Sequence, residues 1–118
     1  MENEKILAVA QFLGLDEEEK EELTVSSYDD NIIEYYSEEY EVLTDEEADD
    51  RWEEELDHYI EECIYPELKD DTLRRYFDEE AWKSDARYDG RGHAISRYDG
   101  CENEEEVNGT WYYIYRQN

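Results

Sequence analysis

The hydrophobic positions of this chain fall into short runs whose period changes along the sequence. Ile6, Val9, Ala10 and Leu13 share one face of a helix over residues 2–13, and Gly14 is placed to end it. Asp16-Glu17-Glu18-Glu19 favours a second helical turn ending near Leu23, because carboxylates are stabilised at a helix N-terminus. Between 24 and 43 the chain turns β-like. Thr24-Val25-Ser26-Ser27-Tyr28, Ile32-Ile33-Glu34-Tyr35-Tyr36 and Tyr40-Glu41-Val42-Leu43 are rich in β-branched and aromatic residues. The polar Ser37-Glu38-Glu39 between the last two runs predicts a hairpin.

The strongest helix signal follows. Thr44-Asp45-Glu46-Glu47 is a capping box, and Ala48, Trp52, Leu56, Tyr59, Ile60 and Cys63 continue it as one apolar stripe. Pro66 should end a helix over about 45–64, a rod of roughly 30 Å. Leu73, Tyr76 and Phe77 suggest a short helix, and Asp78-Glu79-Glu80-Ala81-Trp82 another start. Arg87-Tyr88-Asp89-Gly90 and Arg97-Tyr98-Asp99-Gly100 form a small repeat with turn-forming Asp-Gly. At the C-terminus Asn108-Gly109 separates Glu105-Glu106-Val107 from Thr110-Trp111-Tyr112-Tyr113-Ile114-Tyr115, a hairpin with a type I′ turn. The expected fold is α+β: one domain over 1–118, with an antiparallel sheet from hairpins at about 24–43 and 105–116 packed with several helices, the longest at about 45–64.

Charge changes the picture. Thirty-eight acidic residues face eleven basic ones, a net charge of −27. Such acidity usually means disorder, but 14 % aromatic residues, twelve of them Tyr, point to a folded domain with an anionic surface. Solubility needs a net charge of only about 2–8, and self-repulsion costs stability, so the excess asks for a function. Duplex DNA carries one charge per about 1.7 Å, so this net charge matches roughly 46 Å of duplex, while a compact domain of this length is on the order of 30 Å across. Residues 1–68 hold 26 acids and 3 bases, residues 69–97 hold 7 of each, and residues 98–118 hold 5 acids and 1 base. The anionic surface should therefore come mainly from the first segment, with 69–97 as a brace or a second contact surface.

On the 45–64 helix, Glu47, Asp50, Glu54, Asp57 and Glu61 fall opposite the apolar stripe, with Asp49 and Glu53 along one edge and Glu62 along the other. Each step along that row rises about 5 Å, similar in scale to the 3.4 Å spacing of phosphates. An ordinary solvated face would mix signs, yet Arg51 is the helix's one base. Glu34, Glu38, Glu39 and Tyr36 of the first hairpin complete the expected partner-binding surface. Tyrosine supplies the anchors that charge alone does not, although sheet packing is the better reading for about half of the hairpin tyrosines. Arg87, Arg91, His93 and Arg97 read as counter-ions for nearby acids rather than an anion site.

Enzymatic readings have little support. Cys101 and His93 are near in sequence without a motif around them. His58 and Glu61 form half of a metal motif, and no calcium-loop pattern exists. No catalytic residue, metal or cofactor is expected. Two cysteines make no disulfide framework, and the N-terminal apolar run is too short for a membrane span and lacks a basic n-region, so a cytoplasmic protein is expected.

In size, acidity and aromatic content the chain resembles the small DNA mimics of phages and mobile elements: antirestriction and anti-CRISPR proteins, and inhibitors of nucleoid proteins or DNA glycosylases. Tyr40-Glu41-Val42-Leu43-Thr44-Asp45-Glu46-Glu47-Ala48-Asp49, Gly90-Arg91-Gly92-His93, Tyr98-Asp99-Gly100 and Trp111-Tyr112-Tyr113-Ile114-Tyr115-Arg116 also resemble segments of small phage-borne proteins of unassigned function. The resemblance implies a non-enzymatic inhibitor, monomeric or homodimeric, in the host cytoplasm. It would block the groove of a basic nucleic-acid-binding protein (a restriction enzyme, a CRISPR effector or a nucleoid protein) and bind neither nucleic acid nor membrane itself. The alternative is a phage accessory or assembly protein that contacts its partner through its aromatics and the neutral 69–97 segment.

Overall fold

The fold is organised around β3 (Glu38–Thr44), the middle strand of a five-stranded antiparallel sheet in the order β1-β2-β3-β5-β4. The computed structural model describes residues 3–118. A meander of β1 (Leu23–Val25), β2 (Ile32–Tyr35) and β3 meets the C-terminal hairpin of β4 (Asn103–Val107) and β5 (Thr110–Arg116). The join pairs Val42 with Ile114 and Leu43 with Tyr113. Both faces of β3 are therefore covered, and Tyr40, Glu41, Val42 and Leu43 are all buried.

Strand alternation sorts the side chains onto two faces. Ile33, Tyr40, Val42, Tyr112 and Ile114 pack with Ala8, Val9 and Ala10 of α1 (Glu4–Leu13). Leu43 and Tyr115 face the other way, toward Ala48 of α3 (Asp45–Tyr59) and Ile95 of α6 (Arg91–Ile95). The α+β class and its two sheet segments thus stand as the periodicity implied. α1 is capped by Asn3 and ends on Gly14 in the left-handed region; the expected start at residue 2 lies outside the described residues. Asp16 and Glu19 close a capping box on α2 (Glu17–Lys20).

Three local expectations are corrected. Ser37-Glu38-Glu39 is not the turn of the first hairpin, because β3 already begins at Glu38 and the loop is Tyr36-Ser37. Tyr36 leaves β2 for a φ of +56°. That conformation costs an L-residue roughly 1–2 kcal/mol, and the side chain is 73 % exposed, touching Tyr35 edge-on. The long helix is not α-helical to residue 64. It widens to a π turn over Ile60–Ile64 and tightens to a 3-10 turn over Tyr65–Glu67, with Pro66 near its start. A proline ring clashes with the carbonyl four residues before it, and the wide turn relieves that clash without stopping the chain. The stripe is rotated accordingly: Ile60 is buried, but Cys63 is exposed. At the other hairpin, Asn108 (φ +51°) and Gly109 (φ +84°) form the expected turn.

The body is also longer than a compact domain. Its extents are 59 × 27 × 23 Å and its radius of gyration is 17.2 Å, against about 13.5 Å for a compact chain of this length. α3 and the turns that continue it to Glu67 run about 35 Å at 1.5 Å per residue, and after α4 (Asp71–Tyr76) the chain returns along α3 as α5 (Glu79–Ala86), where Lys83 meets Asp57 and Trp82 meets Tyr59. Tyr65 holds this outer part together, donating to Glu79 and meeting Phe77 edge-on. Tyr59 stacks on Trp82 between α3 and α5.

A close backbone approach locks α6 to the strand that follows. A Cβ on Gly92 would lie 2.6 Å from the Glu102 amide nitrogen and 2.8 Å from the Gly100 carbonyl oxygen. Gly92→Ala should cost about 2 kcal/mol by overpacking, a fall of roughly 10 °C in melting temperature. Thermal unfolding followed by circular dichroism measures this.

Candidate functional site

α3 starts where β3 stops, so its cap also fixes the acidic face. Thr44 Oγ1 accepts from the Glu47 amide at 3.3 Å, and Glu47 Oε1 accepts from the Thr44 amide at 2.9 Å. Lys5 pairs with the same Glu47 oxygen at 3.0 Å. Burial pushes the Glu47 carboxyl up, but the Thr44 amide and Lys5 outweigh it and hold it below its ordinary value. Glu47 is thus a cap and an ion-pair partner, not a free anion.

One edge of α3 is neutralised by the central segment. Arg91 donates to Asp45 and Asp49 at 2.9 Å and to Glu102 at 2.7 Å, with its guanidinium over the Tyr113 ring. Only 11 % of the Arg91 side chain is exposed. Burial opposes its charge, yet hydrogen bonds to Glu102 and Asp45 raise its pKa above the ordinary arginine value. Lys83, buried on α5, pairs with Asp57 at 2.5 Å and Glu53 at 3.4 Å, and Arg87 also reaches Glu53. Asp49, Glu53 and Asp57, expected to mimic phosphates, are therefore already paired. The counter-ion role expected of this cluster falls to Arg87 and Arg91, with Lys83 added. His93 and Arg97 are exposed and form no ion pair among the described residues.

What remains open is a strip across the α3 side of the sheet. Ile33, Tyr40 and Val42 face α1, so Glu34, Glu39 and Glu41 face α3. Glu34 stands directly opposite Glu39 across β2 and β3, a like-charge pairing that costs sheet stability. Glu39 accepts from the Tyr28 hydroxyl at 2.6 Å, which raises the Tyr28 pKa. Next along the strip, Asp29, Glu41, Asp50, Arg51 and Glu54 line a shallow groove of about 320 Å³. Asp50 and Glu54, one helical turn apart, are exposed and have no cationic partner among the described residues. Arg51 is held inside the strip by Glu41 at 3.2 Å and by Glu55.

Of the residues singled out in the sequence, Glu34 and Glu39 stand opposite each other on the α3 side of the sheet, and Asp50 and Glu54 line the groove. Glu38 joins neither pair: it lies on the α1 side, accepting from Tyr40 at 2.5 Å and pairing with Arg116 at 3.3 Å. Glu61 lies within the π turn, where the α-helical spacing that aligned it with Asp50 no longer holds. Tyr36 projects from the hairpin tip. Glu41 and Asp29 were missed. Parity along Tyr40-Glu41-Val42 marks Glu41 as α3-facing, whereas the loop gives no signal for Asp29. Carboxylates also cover α2 and the outer end, where Glu17, Glu18, Glu61, Glu62 and Glu67 are exposed.

Among the described residues no group of His, Cys, Asp or Glu is arranged to hold a metal ion, and no helix is long and apolar enough to cross a membrane. Comparison with family models, curated proteins and solved structures finds no match.

Glu41 gives the strip a pH signature. Burial raises its pKa above the ordinary 4.5, and Arg51 offsets this only in part. Folding therefore favours the neutral form more than the unfolded chain does. Ionised Glu41 costs stability at neutral pH, and that cost is absent below the unfolded value and develops as pH rises through the raised folded one. Glu41→Gln should be more stable than the parent at pH 7 and lose that advantage near pH 4. Urea unfolding at the two pH values measures it.

Proposed function

We propose that this chain is a non-enzymatic DNA mimic that occupies the groove of a basic nucleic-acid-binding protein. The observation that carries the reading is the combination of shape and charge layout. A net charge of −27 over 59 Å is about one charge per 2.2 Å, against about 1.7 Å for a duplex. Lys83, Arg87 and Arg91 are turned onto one edge of α3, while Glu34, Glu39, Asp50 and Glu54 have no cationic partner among the described residues. A cationic groove would meet acids where it otherwise meets phosphates. Binding would release the counterions held by both partners, so affinity would fall log-linearly with salt.

Three of the seven bases of segment 69–97, Lys83, Arg87 and Arg91, pair with α3 and its neighbours, which supports a bracing role for those residues.

Immobilised chain should retain DNA-binding proteins from a host lysate and release them to duplex DNA. Asp50→Lys with Glu54→Lys should weaken that retention by about tenfold or more. Glu104→Lys with Glu106→Lys, the same change in charge on the β4 edge, should weaken it far less. Retained proteins that hold DNA and this chain at once would overturn the proposal, and so would equal losses from the two double variants.

A further inference from the structure

A second concavity lies between α3, α5 and α6, away from the acidic strip. It encloses about 430 Å³. Tyr59 lies nine residues from Asp50, half a revolution round α3 at about 100° per residue. One wall is the Tyr59–Trp82 stack, with ring centroids 5.3 Å apart and planes within 9°. Leu56, Ala86 and Ala94 extend the apolar lining, and Glu62 and Asp89 stand at the rim. Both rim acids are exposed and have no cationic partner among the described residues.

We propose that this cleft is a slot for one arginine side chain of the partner. The proposal rests on the basic-partner reading above for the charge of its occupant, and adds where and by which side chain the partner is gripped. The apolar, aromatic and acidic parts of the lining suit arginine, and His58, His93 and Cys63 complete the walls. Its methylene stem is apolar and matches Leu56 and the alanines. Its planar guanidinium stacks on aromatic faces and donates in a fork to carboxylates. Lysine offers a compact, strongly hydrated charge that stacks less well. A leucine or phenylalanine would desolvate Glu62 and Asp89 with nothing to pair them. An anionic occupant meets the field of the whole chain. Because the slot faces away from the strip, the arginine belongs to an arm or second wall of a partner that closes around the elongated body, not to the groove floor.

The test uses the intact chain and three capped amino acids: Nα-acetyl-arginine amide, Nα-acetyl-lysine amide and Nα-acetyl-leucine amide. Binding is read from the Trp82 indole N–H resonance. The arginine probe should shift it saturably in the millimolar range. The lysine probe should bind two- to fivefold more weakly, the span of an exposed cation–π contact, and the leucine probe should leave the resonance in place. Glu62→Gln with Asp89→Asn, both surface changes, should weaken arginine binding severalfold while the melting temperature holds. An arginine probe that leaves Trp82 unmoved, or a leucine probe that binds as well, overturns the slot. Asp50→Lys with Glu54→Lys touches no slot residue, and the slot predicts that it binds the arginine probe nearly as well as the parent. Arginine binding without DNA-competed retention would then count against the mimic reading alone. DNA-competed retention without arginine binding would count against the slot alone.

Discussion

The interaction on which the rest depends is the clasp of Arg91. One guanidinium, nearly buried, holds Asp45 and Asp49 at the start of α3 and Glu102 before β4, and rests on Tyr113 of β5. Tyr115 donates to the same Glu102, which ties the clasp to the core. Without it, three carboxylates would crowd the seam between helix and sheet with no cation among them. Arg91 is nearly buried but Asp45 and Asp49 are more than half exposed, so water screens those two pairs and each contributes on the order of 1 kcal/mol or less, while Glu102 is the more enclosed partner. The tight Gly92 contact is the steric counterpart: the absence of a side chain there lets the backbone of α6 approach residues 100–102, which carry Glu102.

This clasp explains how so acidic a chain folds. Lys83, Arg87 and Arg91 are concentrated where α3 must pack, and Lys5, Arg51 and Arg116 each relieve acids at separate points of the sheet and helix. The Glu34–Glu39 pair and the positive φ of Tyr36 show local stability being given up on the same hairpin. Such concessions cluster where a surface is shaped for contact rather than for folding.

Much of the fold was legible because its signals are local. The Thr44–Glu47 box, the Asn108-Gly109 turn and the alternation through Tyr40–Leu43 need only neighbouring residues. The site was legible by half. Helical spacing put Asp50 and Glu54 on the exposed face of α3, where they lie, but nothing local states that Lys83 and Arg91, 26 and 42 residues away in sequence, would neutralise Asp57 and Asp49. The elongation was hidden for the same reason. It depends on Pro66 being absorbed into a change of helix type instead of ending the rod.

That change of helix type fixes more than length. An α turn closes over four residues and a π turn over five, so Ile60–Ile64 behaves as a single inserted residue. Its deletion would restore an unbroken α-helical path and twist everything beyond it by about 100°. Tyr65 would swing away from Glu79 and Phe77, and the outer third of the body would point elsewhere. The direction in which the anionic rod continues past the sheet is thus an angular setting held by one residue.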